Sequence, residues 1–375
     1  MISASVTITL ISIFSLQTTI FIYHLISKKP HRQSSVLLCL VLFFFGTTAF
    51  NLALFYLLVF FNHINWIPYL QLELLFGLGP SLYLYTKSVA DPGYKVHKWQ
   101  YLHFLPVTLE FLYYRTSFFR SGAINLTDYP HGLANWSFII EQWGGTVTTS
   151  AYIIASIKLL TEYQSWVRNN YANLNGKTLE WLIKPVIAYA SFWFLWHIIR
   201  LVDLIIYSDA YREYYFFPMF ITLAAITCWI AFTGYMRKQT DAVGFTTNRK
   251  SKHPLINRGS DIPSAAAQLI RDKMGSEKFY LDLDLSLQSF SKAIGLNPKL
   301  VSKTINTEFN VNFLEFVNQY RVSEFMWRLK RPGHEKLTLW AHALESGFAS
   351  KSTFNYVFKK HNKLTPKAYY QQNRK

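Results

Sequence analysis

Two clusters of hydrogen-bonding side chains stand out in the last third of the sequence. One is Lys299, Ser302, Lys303 and Asn306; the other is Lys351, Ser352, Thr353, Asn355, Tyr356, Lys359 and Lys360. Neither holds the acid–base pair, activated nucleophile or metal-ligand spacing that bond-breaking chemistry needs. Both hold cationic, hydroxyl and amide groups three and four residues apart, which places them on one face of a helix. Such groups reach phosphate oxygens and base edges in the major groove of double-stranded DNA. The expected chemistry is therefore recognition of a polyanion, with no catalytic residue, cofactor or metal and no enzyme activity.

A helix that turns such a face outward needs an apolar back. Leu300, Val301 and Ile305 supply it for the first cluster, and Phe354, Val357 and Phe358 for the second. A short helix and a tight break precede each. Leu287, Phe290, Ala293 and Ile294 form an apolar stripe leading to Gly295-Leu296, after which Asn297 is a favoured N-cap and Pro298 fits the first helical position. Residues 337–344 lead in the same way to Gly347-Phe348, after which Ser350 is the cap. These are two helix-turn-helix patterns, near 286–308 and 337–360, in which the second helix is the one that enters a groove. A long helix is predicted between them over 313–330, with Phe316, Val317, Tyr320, Phe325 and Leu329 apolar and Pro332-Gly333 ending it. An amphipathic helix opening at Ile262-Pro263 leads in, and Thr365-Pro366 starts a terminal helix.

The run from Gly347 to Lys360, followed by Thr365-Pro366, resembles the signature of the AraC/XylS family. Val301-Ser302, Phe313, Asn318, Arg321 and the stretch from Leu344 to Phe348 also fall where that family has similar residues. The resemblance covers the last third of the chain. It implies a bacterial transcription regulator with both recognition helices in successive major grooves. Tyr356 stands where the family often has Arg, which implies either a different base contact or a phosphate grip by Lys359 and Lys360. Asn310 and Lys363 stand where Gly is common; Asn310 tolerates the left-handed turn that Gly would make, and Lys363 does so less readily.

The rest of the chain is of another kind. Across 375 residues the protein is 51% hydrophobic and 16% charged, with a formal charge of +17, too apolar for an ordinary soluble chain. Residues 1–236 hold 14 Lys+Arg against 10 Asp+Glu and residues 237–375 hold 24 against 11, so the tail alone carries +13. That concentration attracts nucleic acid first and anionic headgroups second. Apolar runs at 3–26, 35–61, 68–89, 99–114, 139–160, 181–207 and 214–235 approach the roughly 20 residues a helix needs to cross a bilayer, and the fourth is short enough to be interfacial. The basic residues between them alternate. Lys28, Lys29 and Arg32, then Lys87, Lys95 and Lys98, then Lys158, Arg168, Lys177 and Lys184 mark loops one, three and five. The other loops hold only Arg115, Arg120 and Arg212. By the positive-inside rule the odd loops and the tail face the cytoplasm and the N-terminus lies outside.

The expectation is thus an all-α chain: a seven-helix transmembrane bundle over 1–236, a cytoplasmic linker over 237–261, and a DNA-binding domain over 262–375. The expected location is the bacterial inner membrane, multi-pass, with the C-terminal domain in the cytoplasm. Ionisable groups inside spans are costly, which makes Glu73, Glu110, Glu141, His197, Arg200 and Asp203 the candidates for sensing an unidentified signal ligand. Arg200 and Asp203, three apart, could also simply neutralise each other. Cys39 and Cys228 lie in apolar runs and read as small hydrophobes. Double-stranded DNA, the bilayer and a second copy in a homodimer are the expected partners. Competing readings are a transporter or membrane enzyme with a regulatory basic tail, and a tail that binds acidic lipid or a protein.

Overall fold

The computed structural model describes residues 16–27, 33–60, 74–112, 140–208, 210–236, 245, 261–331 and 337–372. Among them the chain is helical, without a strand, and it divides into two compact units. One comprises Met1–Thr161 and Leu179–Asn248; the other comprises Glu162–Thr178 and Arg249–Lys375. The expected linker over 237–261 lies outside the described residues apart from Phe245 and Asp261, as do Glu73 and Pro332-Gly333.

In the first unit every apolar run meets a helix over its described part. The helices are α1 (16–27), α2 (Gln33–Phe60), α3 (Leu78–Ala90), α4 (105–112), the larger part of α5 (Gly145–Asn170), α6 (Glu180–Ile206) and α7 (Arg212–Met236). A 3₁₀ turn over Lys98–Phe104 precedes α4, and both expose apolar groups, among them Trp99, Leu102, Leu105 and Leu109. Among the described residues α6 is the helix long and apolar enough to cross a membrane, while Gln33–Thr48 and Ile221–Met236 are shorter apolar stretches. With 13 residues, α3 is about 20 Å long, short of the ~30 Å hydrocarbon core; residues 68–73 of that run lie outside the described part. Hydroxyls in these helices fold back onto their own turn: Ser81 donates to Leu78 O, Thr86 to Leu82 O, Ser156 to Tyr152 O and Thr227 to Leu223 O. No water is needed to satisfy them.

The second unit contains α8 (Asp261–Glu277), α9 (Leu287–Ala293), α10 (Pro298–Glu308), α11 (Phe313–Leu329), α12 (Leu339–Glu345), α13 (Lys351–Asn362) and α14 (Pro366–Gln372). Its apolar interior has two centres that share one helix. Phe313, Phe316 and Val317 of α11 pack with Ile270, Met274, Tyr280, Leu285, Leu287, Phe290, Val301 and Ile305. Val322 and Phe325, further along α11, pack with Ala343, Phe348, Phe354, Val357 and Phe358. The spacing of these residues along α11 puts a stripe toward each module in turn. Asn310 and Lys363 do take left-handed backbone, with φ of 55° and 60°, where an L-residue costs about 1 kcal/mol more than glycine.

Gly347 and Gly295 occupy the same place in the two helix-turn-helix patterns, yet their surroundings differ. Both have positive φ, but a Cβ on Gly347 would lie 2.3 Å from Tyr280 O and 3.0 Å from Arg321 Nε, whereas one on Gly295 would meet nothing within 4 Å. Gly295→Ala should cost about 1 kcal/mol, the left-handed penalty alone. Gly347→Ala should cost about 3 kcal/mol or more, because backbone has to move as well. Thermal unfolding of the two variants, followed by the loss of amide protection in the second unit, measures the difference.

Candidate nucleic-acid interface

Each recognition helix is held by the turn before it. In the first module Ser286 caps α9, accepting from Ser289 N at 3.0 Å while Ser289 Oγ accepts from Ser286 N at 3.0 Å. Gly295 then reverses the chain, Leu296 N donates to Ser291 O at 3.0 Å, and Asn297 Oδ1 accepts from Lys299 N at 2.9 Å to start α10. In the second module Thr338 caps α12, accepting from Ala341 N at 3.1 Å, Gly347 makes the reversal, and Ser350 starts α13 by accepting from Thr353 N at 3.2 Å. These caps satisfy backbone N–H groups that would otherwise lack partners, each worth about 1 kcal/mol.

The two helices sort their side chains cleanly. On α10, Val301, Thr304 and Ile305 are buried, Lys299, Lys303 and Asn306 are exposed, and Ser302 is half-buried. On α13, Phe354, Val357 and Phe358 are buried, while Lys351, Ser352, Thr353, Asn355, Tyr356, Lys359 and Lys360 are exposed, Tyr356 at 71%. Lys299 and Lys351 stand in the first turn of their helices, where the N-terminal end of the helix dipole adds to their attraction for a phosphate.

Lys360 is not simply presented to solvent. Its Nζ lies 2.6 Å from Glu315 Oε2 on α11, and His361 Nε2 lies 3.4 Å from Glu315 Oε1. Lys360 and Asn306, one from each recognition helix, line a single open cavity of ≈ 430 Å³ together with Asn310, Val311, Asn312 and Glu315. The cavity brings polar groups of both modules to one concave surface. Sequence reasoning found the lysine and had no signal for its carboxylate partner.

The residues that set the relation of the two modules lie on α11. Arg321, 2% exposed, donates from Nε to Tyr280 O, from Nη1 to Ala172 O and from Nη2 to Asp282 O, each at 2.8 Å. Burial pulls its pKa down to about 10, which leaves the guanidinium charged at neutral pH. One turn on, Glu324 Oε2 accepts from Lys278 Nζ at 3.1 Å and Tyr280 Oη at 3.0 Å, and its Oε1 accepts from Arg328 Nε at 2.9 Å. Arg328 also pairs with Glu345 on α12. Burial alone would raise the Glu324 carboxyl, but the hydrogen bonds and cations around it outweigh that and hold it below its ordinary value. The i, i+3 and i, i+4 spacing of Arg321, Glu324 and Arg328 is a sequence signal for this seam.

The sensing candidates of the first unit have mostly local partners. Glu110 is buried and accepts from Leu75 N at 3.1 Å and Phe76 N at 3.3 Å, which caps the turn entering α3. His197 Nδ1 lies 2.8 Å from Trp193 O, and because a carbonyl only accepts, that nitrogen carries the proton; Nε2 meets Thr146 Oγ1 at 2.9 Å. The Arg200 guanidinium sits 5.7 Å from the Trp143 ring centre and 5.6 Å from that of Trp196. Asp203 is buried and accepts from Tyr211 N at 3.1 Å. His197 and Arg200 thus share a tryptophan-lined patch, while Asp203 closes the end of α6.

Residues 290–372 match a family model described as a helix-turn-helix domain. No curated protein and no solved structure matches the chain. The match falls on the segment that resembles the AraC/XylS signature, and it supports a DNA-binding transcription regulator with an AraC-type domain at its C-terminus.

Two outcomes follow from this geometry. Changing Lys351 or Asn355 to Ala should weaken binding to a specific duplex without a change in melting temperature, whereas Phe354→Ala should destabilise the second module by ~3–5 kcal/mol; gel shifts and melting curves separate the two effects. The Glu324 carboxyl is held below its ordinary value of 4.5, so its stabilisation is complete above that value and disappears as pH falls through the lower value of the folded state. Glu324→Gln should therefore lower stability by about 2 kcal/mol at neutral pH and flatten the acid limb of a stability-against-pH curve.

Proposed function

We propose that this chain is a membrane-bound one-component transcription regulator, in which the first unit anchors and senses while the second reads promoter DNA. The observation that carries the reading is the pair of recognition helices, each with a buried apolar back and an exposed lysine- and amide-rich face, inside a segment of charge +13. On this reading Lys299, Ser302, Lys303 and Asn306 enter one major groove. Lys351, Ser352, Thr353, Asn355 and Tyr356 enter the next, and Lys359 and Lys360 hold phosphates.

The anchoring part of the proposal rests on hydropathy and on exposed apolar area. On α6 alone Ile187, Phe194, Leu195, Ile198, Ile199, Leu201, Val202, Ile205 and Ile206 are exposed, far more than a monomer in water ordinarily leaves uncovered. Lipid would cover that surface in a seven-span bundle with the N-terminus outside. The loop basic residues favour a cytoplasmic C-terminal domain beyond a linker over 237–261, in the inner membrane of a bacterium. Glu110, His197, Arg200 and Asp203, with Glu73, are the groups in this unit through which a signal ligand would act. Coupling requires that such a ligand favour one arrangement of the bundle over another, and a homodimer would carry that preference to two half-sites.

Formaldehyde crosslinking of the full-length protein in cells, followed by sequencing of the recovered DNA, tests the central claim. Discrete promoter-proximal peaks are expected, and affinity for a recovered site should fall steeply with salt, as it does when several phosphates are neutralised. A reporter fused after Lys375 that reports an exterior location would overturn the reading.

A further inference from the structure

The DNA-binding unit is discontinuous in sequence. Its smaller piece, Glu162–Thr178, is the end of α5 and the loop leading to α6, and it is built into the domain rather than laid on it. Ala172, 2% exposed, belongs to the same apolar centre as Tyr280, Leu285, Leu287 and Phe290. Its N–H donates to Leu285 O at 3.0 Å, and its carbonyl accepts from Arg321 Nη1 at 2.8 Å. Tyr171 and Ser286 form an isolated antiparallel bridge, and Lys177 Nζ lies 3.6 Å from Asp284 Oδ1. The segment also closes on itself. Tyr163, fully buried, donates its hydroxyl to Lys177 O at 2.8 Å, the Lys177 ammonium sits 5.3 Å from the Tyr171 ring centre, and Tyr171 meets Trp166 edge to face.

What this segment touches decides what it does. Residues 280–286 connect α8 to the first helix-turn-helix, and Ser286 is the cap of α9. Arg321 holds those residues and lies against Gly347, the reversal of the second helix-turn-helix. Ala172 supplies one of the three carbonyls that this buried guanidinium requires. We infer that residues 162–178 form an intramolecular strap, and that its seating on Tyr280–Ser286 and Arg321 favours the arrangement of the two modules that binds DNA. This rests on the DNA-reading function proposed above and adds the device that regulates it. The strap begins within the last turns of α5 and runs up to the start of α6, two of the helices proposed to span the membrane. A change in their separation would pull directly on the strap, with no diffusible messenger and no long pathway of side chains.

The test uses the full-length protein in native membranes with Cys39→Ala and Cys228→Ala as background. Adding Tyr171→Cys and Ser286→Cys should give, on mild oxidation, a disulfide between these positions in most molecules, scored by mass spectrometry; failure to form it overturns the seating. A separate variant, Ala172→Lys, sets a cation beside Arg321 and should expel the strap. Amide exchange over 280–285 should then rise at least tenfold while 354–358 stays protected, and the DNA recovered by formaldehyde crosslinking should fall at least tenfold. Loss of protection at 354–358 as well would mean that the domain cannot stand without this segment, and would overturn a reversible strap. Raised exchange at 280–285 with unchanged DNA recovery would leave the segment as packing only and overturn the regulatory role. Recovery of no DNA by the unaltered protein, with the disulfide still forming, would overturn the DNA-reading function and keep the seating. The oxidised disulfide form should recover DNA at least as well as the reduced form; a tenfold loss on oxidation reverses the sign and overturns the inference.

Discussion

A charged group with almost no contact with solvent is the constraint around which the C-terminal unit is organised. Burying a guanidinium is costly unless each direction in which it can donate finds an acceptor. Each of the three nitrogens of Arg321 donates to a carbonyl, from Tyr280, Ala172 and Asp282, oxygens that carry partial rather than full negative charge. Asp282 adds its charge to the attraction, while Glu324, one turn on from Arg321 along α11, is occupied by Lys278, Tyr280 and Arg328. Because carbonyls have to be placed by backbone, this arrangement dictates the path of the chain over 280–286 and the position of residue 172. A carboxylate partner on a long side chain would have left both free to vary.

The same helix separates reading from holding. Its first turns bury Phe313, Phe316 and Val317 in one apolar centre and its later turns bury Val322 and Phe325 in the other, so each module has its own core and the helix fixes their spacing. The recognition faces on α10 and α13 then project from surfaces that do not depend on them for stability. Lys351, Asn355 and Tyr356 can differ from one regulator to another without cost to the core. Lys360 is the exception. Tied to Glu315, it links the second recognition helix to α11, and a phosphate approaching it would have to compete with that carboxylate.

Local chemistry made much of this readable in advance. Asn297-Pro298, Ser350, Gly295 and Gly347 act on backbone within a few residues of themselves, and the helix boundaries they imply agree with α9, α10, α12 and α13 to within a residue or two. Periodicity was less exact, because a stripe is a wide face and its edges depend on the neighbour. Ala293, counted in the stripe of α9, is exposed; Leu300 is only half-buried; and Thr304, a polar residue between them in type, is buried. The contact of Ala172 with Leu285 and Arg321 had no local signature at all. Nothing in Tyr171-Ala172-Asn173 distinguishes it from any short polar connection, since its structure comes from a partner more than a hundred positions away. Hydropathy likewise located helices in the first unit, but it measures affinity for an apolar medium. It carries no information on which helix faces lie against one another.

The energies involved suit a switch. A tenfold change in DNA occupancy corresponds to ~1.4 kcal/mol, and each hydrogen bond that Ala172 makes contributes about 1 kcal/mol, somewhat more where the donor is charged. Undocking residues 171–178 exchanges these two bonds, the Lys177–Asp284 ion pair with its exposed carboxylate, the Tyr171–Ser286 bridge and one small buried methyl for hydration, a change of the same order as the regulation required. A larger seat, with an aromatic at position 172, would hold the strap so firmly that the modest differential affinity of a signal ligand could not release it. An alanine at that position, buried but contributing little apolar area, keeps the docked and released states within reach of each other.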